Sequence, residues 1–399
     1  MIANRMSAVS FSPTIRIANK AKELKASGVK VCDFTVGEPD FNTPDFIKQA
    51  GIDAINNNDT RYTMVNGTIE LRKAIAHKLK RDNNLNYDIS EIVVTNGAKQ
   101  MLFNALFATL NQNDEVIIPA PSWVSYFDIV KLCDGTPIIV NTKEDNKFKL
   151  TAQELETAIT NKTKWLMLNS PSNPTGGVYS KEELISLIEV LRKNPNVNII
   201  VDDIYEYLCY DCTFFTIPEL APDLLNRILV VNGVSKSFAM TGWRVGYGVS
   251  KNKKLMDVIN VIQSQSTSSV CSISQHAAAV ALMDDERNFL KDWINEYKTR
   301  RNFCVKRINK IKHLSCTTPD GAFYVFFNIK NTFNKRTAKG DIINNSEDFA
   351  INLLEDFAVA TVHGEAFGME GYIRLSFVTS MDELSEGLDK IEQFCNSLS

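Results

Sequence analysis

Six short apolar runs constrain the fold of this chain more than any other feature. They read EIVVT, DEVIIP, TPIIV, TKWLMLN, VNIIVDD and RILVVNG, and they lie between residues 91 and 233. Runs rich in β-branched residues, without polar alternation, are typical of strands that are buried on both faces of a sheet. Because helical segments such as 151–159 and 181–192 separate the runs, the pattern predicts a mostly parallel sheet flanked by helices. A further strand-like run after Arg244 brings the predicted number of strands to seven.

The rest of the chain predicts a second, smaller domain. A length of 399 residues exceeds what one compact core usually holds. After a long helical segment at 285–310, the short strands LSCTT, AFYVFFNI, VATV and YIRLSFV alternate with helical segments, which is typical of an α+β domain. We predict an N-terminal arm and part of the small domain in residues 1–45, a large domain in 46–290, and the C-terminal small domain in 291–399.

Composition and charge argue against several classes of function. The 44 basic and 47 acidic residues give a net charge of −3, with no basic cluster of the kind that binds nucleic acid. No run approaches the roughly 18 apolar residues of a membrane span, and the first residues lack the apolar core of a signal peptide. Cys209 and Cys212 form the one CxxC pair, with no second pair and no nearby histidine. We therefore expect a cytoplasmic protein with reduced thiols, no membrane or nucleic-acid partner and no bound metal.

Chemically functional side chains follow the predicted strands. The run Asn96-Gly97-Ala98-Lys99 opens a helix, Asn173 lies in the turn SPSNPTGG, and Asp202-Asp203-Ile204-Tyr205 ends a buried strand. Lys236 follows the next strand, and Arg244 comes eight positions later. Each segment alone is also compatible with an ordinary turn or a solvated loop, although two carboxylates at the end of a buried strand are costly unless they are paired. Because ligands of such sheets bind beyond the carboxyl ends of the strands, we expect the side chains to share one site.

This combination of groups suits pyridoxal 5'-phosphate. The aldehyde of that cofactor needs an amine, and its ring nitrogen needs a carboxylate to stay protonated. Its phenolate oxygen needs donors such as Asn and Tyr, and its phosphate needs a helix N-terminus and an arginine. The chain has no GxGxxG after its first strand and no GxxxxGK[ST], which argues against NAD and ATP.

Eight motifs in order extend this prediction to a family. GEPDF, YTMVNG, GAKQ, PAPSWVSY, NSPSNPTG, DDIYE, SKSFAMTGWRVGY and YIRLSF span nearly the whole chain. Together they resemble the fold-type I pyridoxal-phosphate aminotransferases, and most of all the class I aspartate aminotransferase branch of bacteria. The resemblance implies that fold, the pyridoxal 5'-phosphate cofactor and a homodimer whose active sites are shared across the interface.

The resemblance also implies a role for each matching residue. Lys236 bonds covalently to the cofactor aldehyde and then moves the proton. The remaining cofactor-binding positions are Gly97, Ala98, Lys99, Trp123, Asn173, Asp202, Tyr205, Ser235, Arg244 and, from the neighbouring subunit, Tyr62. The substrate-binding positions are Gly37, Trp123, Asn173, Arg374, Lys99 and Thr14. Arg374 is expected to bind the substrate α-carboxylate, and Lys99 with Thr14 the distal carboxylate.

The expected reaction is ping-pong transfer of the amino group of L-aspartate to 2-oxoglutarate, giving oxaloacetate and L-glutamate. A bifunctional aspartate/prephenate aminotransferase is the main alternative. Two further alternatives are an aminotransferase for neutral or aromatic amino acids and a non-catalytic cofactor-binding regulator. Lys99 argues against the neutral or aromatic aminotransferase. Three positions depart from the family pattern: Gly233 replaces a phosphate-binding serine, Ala98 replaces a glycine, and His363 replaces a proline. We expect His363 to be structural.

Overall fold

The computed structural model describes residues 2–9 and 13–399, except for the side chains of residues 4, 8, 13–16 and 18. The helices are Pro13–Ala26 (α1), Asp45–Asn56 (α2), Ile69–Asn83 (α3), Ala98–Thr109 (α4), Val124–Leu132 (α5), Ala152–Ala158 (α6), Lys181–Lys193 (α7), Ile217–Leu220 (α8), Lys253–Ser266 (α9), Ser272–Met283 (α10), Asn288–Ile308 (α11), Ser346–Phe357 (α12) and Met381–Ser397 (α13). The strands are Cys32–Asp33 (β1), Ile92–Asn96 (β2), Glu115–Ala120 (β3), Thr136–Asn141 (β4), Thr163–Asn169 (β5), Asn198–Asp202 (β6), Ile228–Gly233 (β7), Val245–Val249 (β8), Ser315–Cys316 (β9), Tyr324–Asn328 (β10), Val359–Ala360 (β11), Val362–His363 (β12) and Tyr372–Ser376 (β13).

A seven-stranded sheet forms the larger layer, in the order β2-β8-β7-β6-β5-β3-β4. In this sheet β8 runs opposite to the other six strands, which are parallel to one another. The prediction of a mostly parallel seven-stranded sheet is confirmed. Asn169 of β5 pairs with Asp202 of β6, which pairs with Val231 of β7. The carboxyl ends of these three strands are therefore level, and the loops that follow them meet at one edge.

Apolar side chains cover both faces of this sheet. On one face α3, α7 and α10 contribute residues such as Leu71, Leu187 and Ala277. On the other face α4, α5 and α9 contribute Met101, Val130 and Ile259, among others. Burial of a large aliphatic side chain contributes about 1.5–3 kcal/mol. Two covered faces explain why the strands carry no alternating polar residues.

A second group of strands lies in the C-terminal part of the chain. Four of them form an antiparallel sheet in the order β12-β13-β10-β9, and β1 pairs in parallel with β11. Phe34, Tyr297, Phe349 and Phe394 are buried in the apolar cluster beneath this sheet. The segment around β1 thus packs with the C-terminal third of the chain, although it precedes the large sheet in sequence.

Element ends differ from the sequence prediction by a few residues, for local reasons. The helix expected at 151–159 begins at Ala152, because Thr151 caps it by accepting a hydrogen bond from the Glu154 amide at 3.2 Å. The long helix expected at 285–310 is limited to Asn288–Ile308. Within residues 2–9 and 13–399, no helix is both long and apolar enough to cross a membrane.

Gly246 of β8 lies against the N-terminus of α4, and a side chain there has no room. A Cβ atom at Gly246 would lie 2.2 Å from the Ala98 amide nitrogen. We expect Gly246→Ala to lower the free energy of unfolding by at least about 1–3 kcal/mol, the usual cost of overpacking. Denaturant unfolding measures this loss. Gly242→Ala is the matched control, because no atom lies within 4 Å of a Cβ there. Equal denaturant midpoints for Gly246→Ala and Gly242→Ala would contradict the close contact between Gly246 and the N-terminus of α4.

Candidate active site

A cavity of about 350 Å³ opens at the edge of the large sheet where the loops after β2, β5, β6 and β7 meet. Residues of the smaller sheet, among them Tyr324 and Arg374, close it from the other side. The lining residues that the sequence predicted are Gly37, Ala98, Lys99, Trp123, Asn173, Asp202, Tyr205, Ser235, Lys236, Arg244 and Arg374. The structure thus brings these predicted residues together, and Gly97 directly precedes Ala98.

The Lys236 amine is held inside this cavity. Its Nζ donates a hydrogen bond to the Gly37 carbonyl oxygen at 2.6 Å. Burial lowers its pKa to about 8, with Arg244 and Arg374 acting in the same direction and Glu38 and Asp202 opposing them. An amine with this pKa is partly neutral near pH 7, so it can act as a nucleophile or a base.

Asp202 is a buried carboxyl group at the end of β6, with only 4% of its surface exposed. The Tyr126 hydroxyl donates to its Oδ2 at 2.5 Å, and the Ile204 amide lies 3.4 Å from its Oδ1. Burial raises the pKa of Asp202 to about 6, although the bond from Tyr126 acts against this rise. A carboxylate in such a site stabilises a cationic donor that binds beside it.

An anion cradle is formed where β2 leads into α4. Gly97 has φ +78° and precedes the first helical residue, so the amides of the first turn point outward. Arg244, with φ +58°, donates to the Thr241 and Asn96 carbonyl oxygens at 2.9 and 3.3 Å. A Cβ at Gly97 would lie 2.3 Å from the Arg244 Nη2 atom, so only glycine permits this approach. Helix amides and a guanidinium together suit a phosphate.

Arg374 of β13 supplies a second guanidinium at the opposite wall. It donates to the Asn173 Oδ1 atom at 3.1 Å and to the Thr35 carbonyl oxygen at 2.7 Å. Its guanidinium carbon lies 4.5 Å from the centre of the Tyr324 ring. Burial lowers its pKa, and no carboxylate pairs with it among the residues the structure describes. A buried arginine with this arrangement suits a substrate carboxylate.

Aromatic side chains complete the walls of the cavity. The Tyr205 and Tyr324 hydroxyls lie 2.9 Å apart, and burial raises the pKa of both groups. The Lys99 Nζ atom lies 4.6 Å from the centre of the Trp123 ring. Burial, followed by the charge of Arg244, lowers the pKa of Lys99. Lys99 is therefore a fourth basic group on the cavity wall, besides Lys236, Arg244 and Arg374, and it lies on a different element from Arg374.

Some predicted positions lie elsewhere. Tyr62 is 94% exposed and lines a separate open cleft of about 1300 Å³. The Thr14 side chain lies outside the described residues. Gly233 belongs to β7, where a Cβ would lie 2.8 Å from the Val245 carbonyl oxygen, so a serine would not fit this backbone. His363 is buried in β12 and does not line the cavity.

Tyr126, Asn169 and Tyr324 are among the polar residues of this site that sequence reasoning missed. Asn169 ends β5 and donates from Nδ2 to the Asp202 carbonyl oxygen at 2.8 Å. Its position at the end of a buried strand could have drawn notice. Tyr126 closes the quoted motif PAPSWVSY, three residues after Trp123, so the same helix turn presents both. Tyr324 had no local signal, because its contact with Tyr205 joins residues 119 positions apart.

Comparisons with known proteins agree on one family. The profile described as "Aminotransferase class I and II" matches residues 29–391. A "Probable aspartate/prephenate aminotransferase" of Rickettsia felis is 48% identical over 400 residues, covering 100% of this chain and 97% of that protein. The crystal structure of the aspartate aminotransferase from Rhizobium meliloti superposes with a TM-score of 0.97 at 46% identity and covers 100% of both chains. The aspartate aminotransferase from Thermus thermophilus with maleate has a TM-score of 0.92 at 35% identity, covering 99% of each chain.

Burial of Asp202 should contribute a cost to the stability of the cofactor-free protein that is present at neutral pH and absent in acid. Its folded pKa of about 6 exceeds the ordinary 3.8, so burial of the charged form costs stability above about pH 6, and this cost disappears below about pH 4. A difference of about two units corresponds to roughly 3 kcal/mol. Asp202→Asn keeps the acceptor for Tyr126 but carries no charge.

Denaturant unfolding of the cofactor-free proteins measures this effect. The variant should be more stable than the wild type by about 3 kcal/mol near pH 8. It should match the wild type near pH 3, where the carboxyl group is mostly protonated in both folded and unfolded chains. A difference that does not change with pH would show that Asp202 is not a destabilised charge.

Proposed function

This chain belongs to the class I and II aminotransferases, and on that premise we propose that it transfers the amino group of L-aspartate to 2-oxoglutarate, giving oxaloacetate and L-glutamate. One observation carries the proposal: the cavity that holds Lys236 has Arg374 and Lys99 on separate elements of its wall. A dicarboxylic amino acid presents two carboxylates, so each can pair with one of these cations while its amine faces Lys236. The course is ping-pong, with the two substrates using the same cavity in turn.

Pyridoxal 5'-phosphate is the cofactor we propose, and the donor set fits it. Asp202 is a buried carboxylate that a protonated ring nitrogen would satisfy, and the Tyr205 hydroxyl and Asn173 amide suit a phenolate oxygen. The amides at Gly97 and Ala98, with Ser235 and Arg244, suit the phosphate, and Trp123 can stack on the ring. When bound, the cofactor supplies an aldehyde for amine exchange and a ring that accepts the electron pair released at the substrate carbon.

The chain's own residues then position the substrate and move its proton. Arg374 fixes the α-carboxylate through its fork of N–H donors, and Asn173 fixes Arg374. Lys236, with a pKa of about 8, takes the proton from the substrate carbon and returns it to the product side. The Gly37 carbonyl oxygen holds the Lys236 Nζ atom in place for this transfer.

Specificity for acidic side chains is proposed to depend on Lys99. Its aliphatic stem and the Trp123 ring form one surface, and its ammonium can pair with a distal carboxylate. The relative from Thermus thermophilus is described with maleate, a dicarboxylate, which supports this assignment. Thr14 is proposed to assist from the N-terminal arm.

A bifunctional aspartate/prephenate aminotransferase is the second candidate, because the Rickettsia felis relative carries that name. Prephenate also has two carboxylates, so the same pair of cations could bind it. Steady-state kinetics with prephenate and a neutral 2-oxo acid as amino acceptors decide between the readings. Prephenate turnover no faster than that of the neutral acid would exclude the bifunctional reading.

We also propose a homodimer in which Tyr62 reaches the phosphate site of the neighbouring subunit. A tyrosine that is 94% exposed beside Phe46, Met283 and Phe289, in an open cleft, supports such an interface.

We propose that residues 46–290 form the large domain, and that residues 1–45 and 291–399 form the N-terminal arm and the small domain. The pairing of β1 with β11 supports this division. The eight free cysteines support a cytoplasmic location.

Replacement of Lys99 tests the substrate assignment. Lys99→Met keeps the stem against Trp123 but removes the charge. A hydrogen bond to a charged group contributes about 1.5–3 kcal/mol, so kcat/KM for aspartate should fall by about 10- to 150-fold. The value for alanine, with 2-oxoglutarate as acceptor, should change little. The control is Lys131→Met, which removes a lysine of the same large layer that does not line the cavity. An equal loss for aspartate and alanine would rule out a role in side-chain recognition.

A further inference from the structure

A CxxC turn follows the cavity-lining residue Tyr205 in the chain, and the proposed transamination does not use its thiols. Cys209 is half-buried, Cys212 is exposed, and both are free. Cys209 forms a backbone bridge with Gly321, and the Cys212 thiol donates to the Asp320 carbonyl oxygen at 3.6 Å. Residues 320 and 321 therefore contact both cysteines, Cys209 through its backbone and Cys212 through its thiol.

The two sulfur atoms are chemically unequal. Each thiol has the largest influence on the other: the Cys212 side chain raises the pKa of Cys209, and the Cys209 side chain lowers the pKa of Cys212. Burial also raises the pKa of Cys209 and opposes the fall at Cys212. The charged groups around Cys212 are Lys147, which favours the thiolate, and Asp320 and Asp211, which oppose it. The exposed sulfur is thus the better nucleophile, as in CxxC redox centres.

Backbone hydrogen bonds connect this turn to the cavity. The Tyr210 amide donates to the Asp320 carbonyl oxygen at 3.0 Å, and the Ala322 amide donates to the Leu208 carbonyl oxygen at 2.8 Å. Two residues after Ala322, the Tyr324 hydroxyl meets that of Tyr205. The segments 205–212 and 320–324 thus connect the two cysteines with the wall of the cavity.

We propose that Cys209 and Cys212 form a reversible disulfide site that reacts with small-molecule disulfides. The Cys212 thiolate attacks one sulfur of the small disulfide, which leaves as a thiolate and takes up a proton. The Cys209 thiol then loses its proton and attacks the Cys212 sulfur, releasing the second small thiol. One disulfide is consumed, one protein disulfide forms, and two small thiols leave, so atoms and electrons balance.

Formation of this disulfide alters the contacts of the turn. It removes the thiol donors from the Asp320 carbonyl oxygen and from the Glu206 carbonyl oxygen, which Cys209 contacts at 3.6 Å. Because the turn and residues 320–322 are bonded together, the Tyr205–Tyr324 pair shifts with them. Oxidation therefore lowers the rate of transamination. This effect on the rate rests on the proposed function, but formation of the disulfide does not depend on it.

Peptide mass spectrometry of the cofactor-bound protein tests the disulfide. The protein is equilibrated with mixtures of reduced and oxidised glutathione, remaining thiols are alkylated, and trypsin releases the peptide 194–227, which holds both cysteines and no others. We expect this peptide to lose two hydrogens and to regain them with dithiothreitol. Cys271→Ser, which removes an exposed cysteine elsewhere, should behave as the wild type. Persistence of both thiols, or a stable glutathione adduct on Cys212, would overturn the proposal.

Activity measurements test the coupling to the cavity. The oxidised wild type should show a several-fold lower kcat/KM than the reduced protein, and dithiothreitol should restore it. Cys212→Ser, treated identically and assayed without reduction, should keep its rate, because it lacks the attacking thiolate. Equal rates for oxidised and reduced wild type would refute the coupling. Inactivity of the reduced wild type would instead count against the proposed function, and the peptide mass would still decide the disulfide.

Discussion

A buried acid and a buried amine face one cavity, and the rest of the structure depends on keeping them there. Asp202 has a pKa of about 6 and Lys236 a pKa of about 8, both displaced by burial towards the neutral form. Buried ionisable groups without direct partners cost stability. Their neighbours therefore have to hold them rigidly: Tyr126 and the Ile204 amide for the carboxyl group, and the Gly37 carbonyl oxygen for the amine.

The mostly parallel sheet makes this arrangement possible. Its level strand ends bring residues from β5, β6 and β7 to one edge. The antiparallel strand β8 begins at that same edge, so Arg244, which immediately precedes it, reaches the N-terminus of α4. Gly246 and Gly97 allow the close approach of these two segments. The buried ionisable groups at the strand ends thus lower the stability of the fold, and the apolar layers on both faces of the sheet raise it.

Much of the fold and site could be predicted from the sequence, because the signals are local. A buried strand that ends in Asp202-Asp203, or a Gly97 turn before a helix, is visible within a few residues. Contacts between distant residues could not be predicted in this way. Tyr126 reaches Asp202 across 76 positions, and Arg374 reaches Asn173 across 201. The absence of room at Gly233 likewise depends on β8, which no local pattern describes.

The central claim is that the Lys236 amine is the group that bonds to the cofactor aldehyde. Hydride reduction of the protein loaded with pyridoxal 5'-phosphate makes that bond permanent, and peptide mass spectrometry then locates it. We expect one modified residue, Lys236, and no modification in Lys236→Ala under the same conditions. Attachment to Lys99 or to another lysine instead, with Lys236 unmodified, would contradict it.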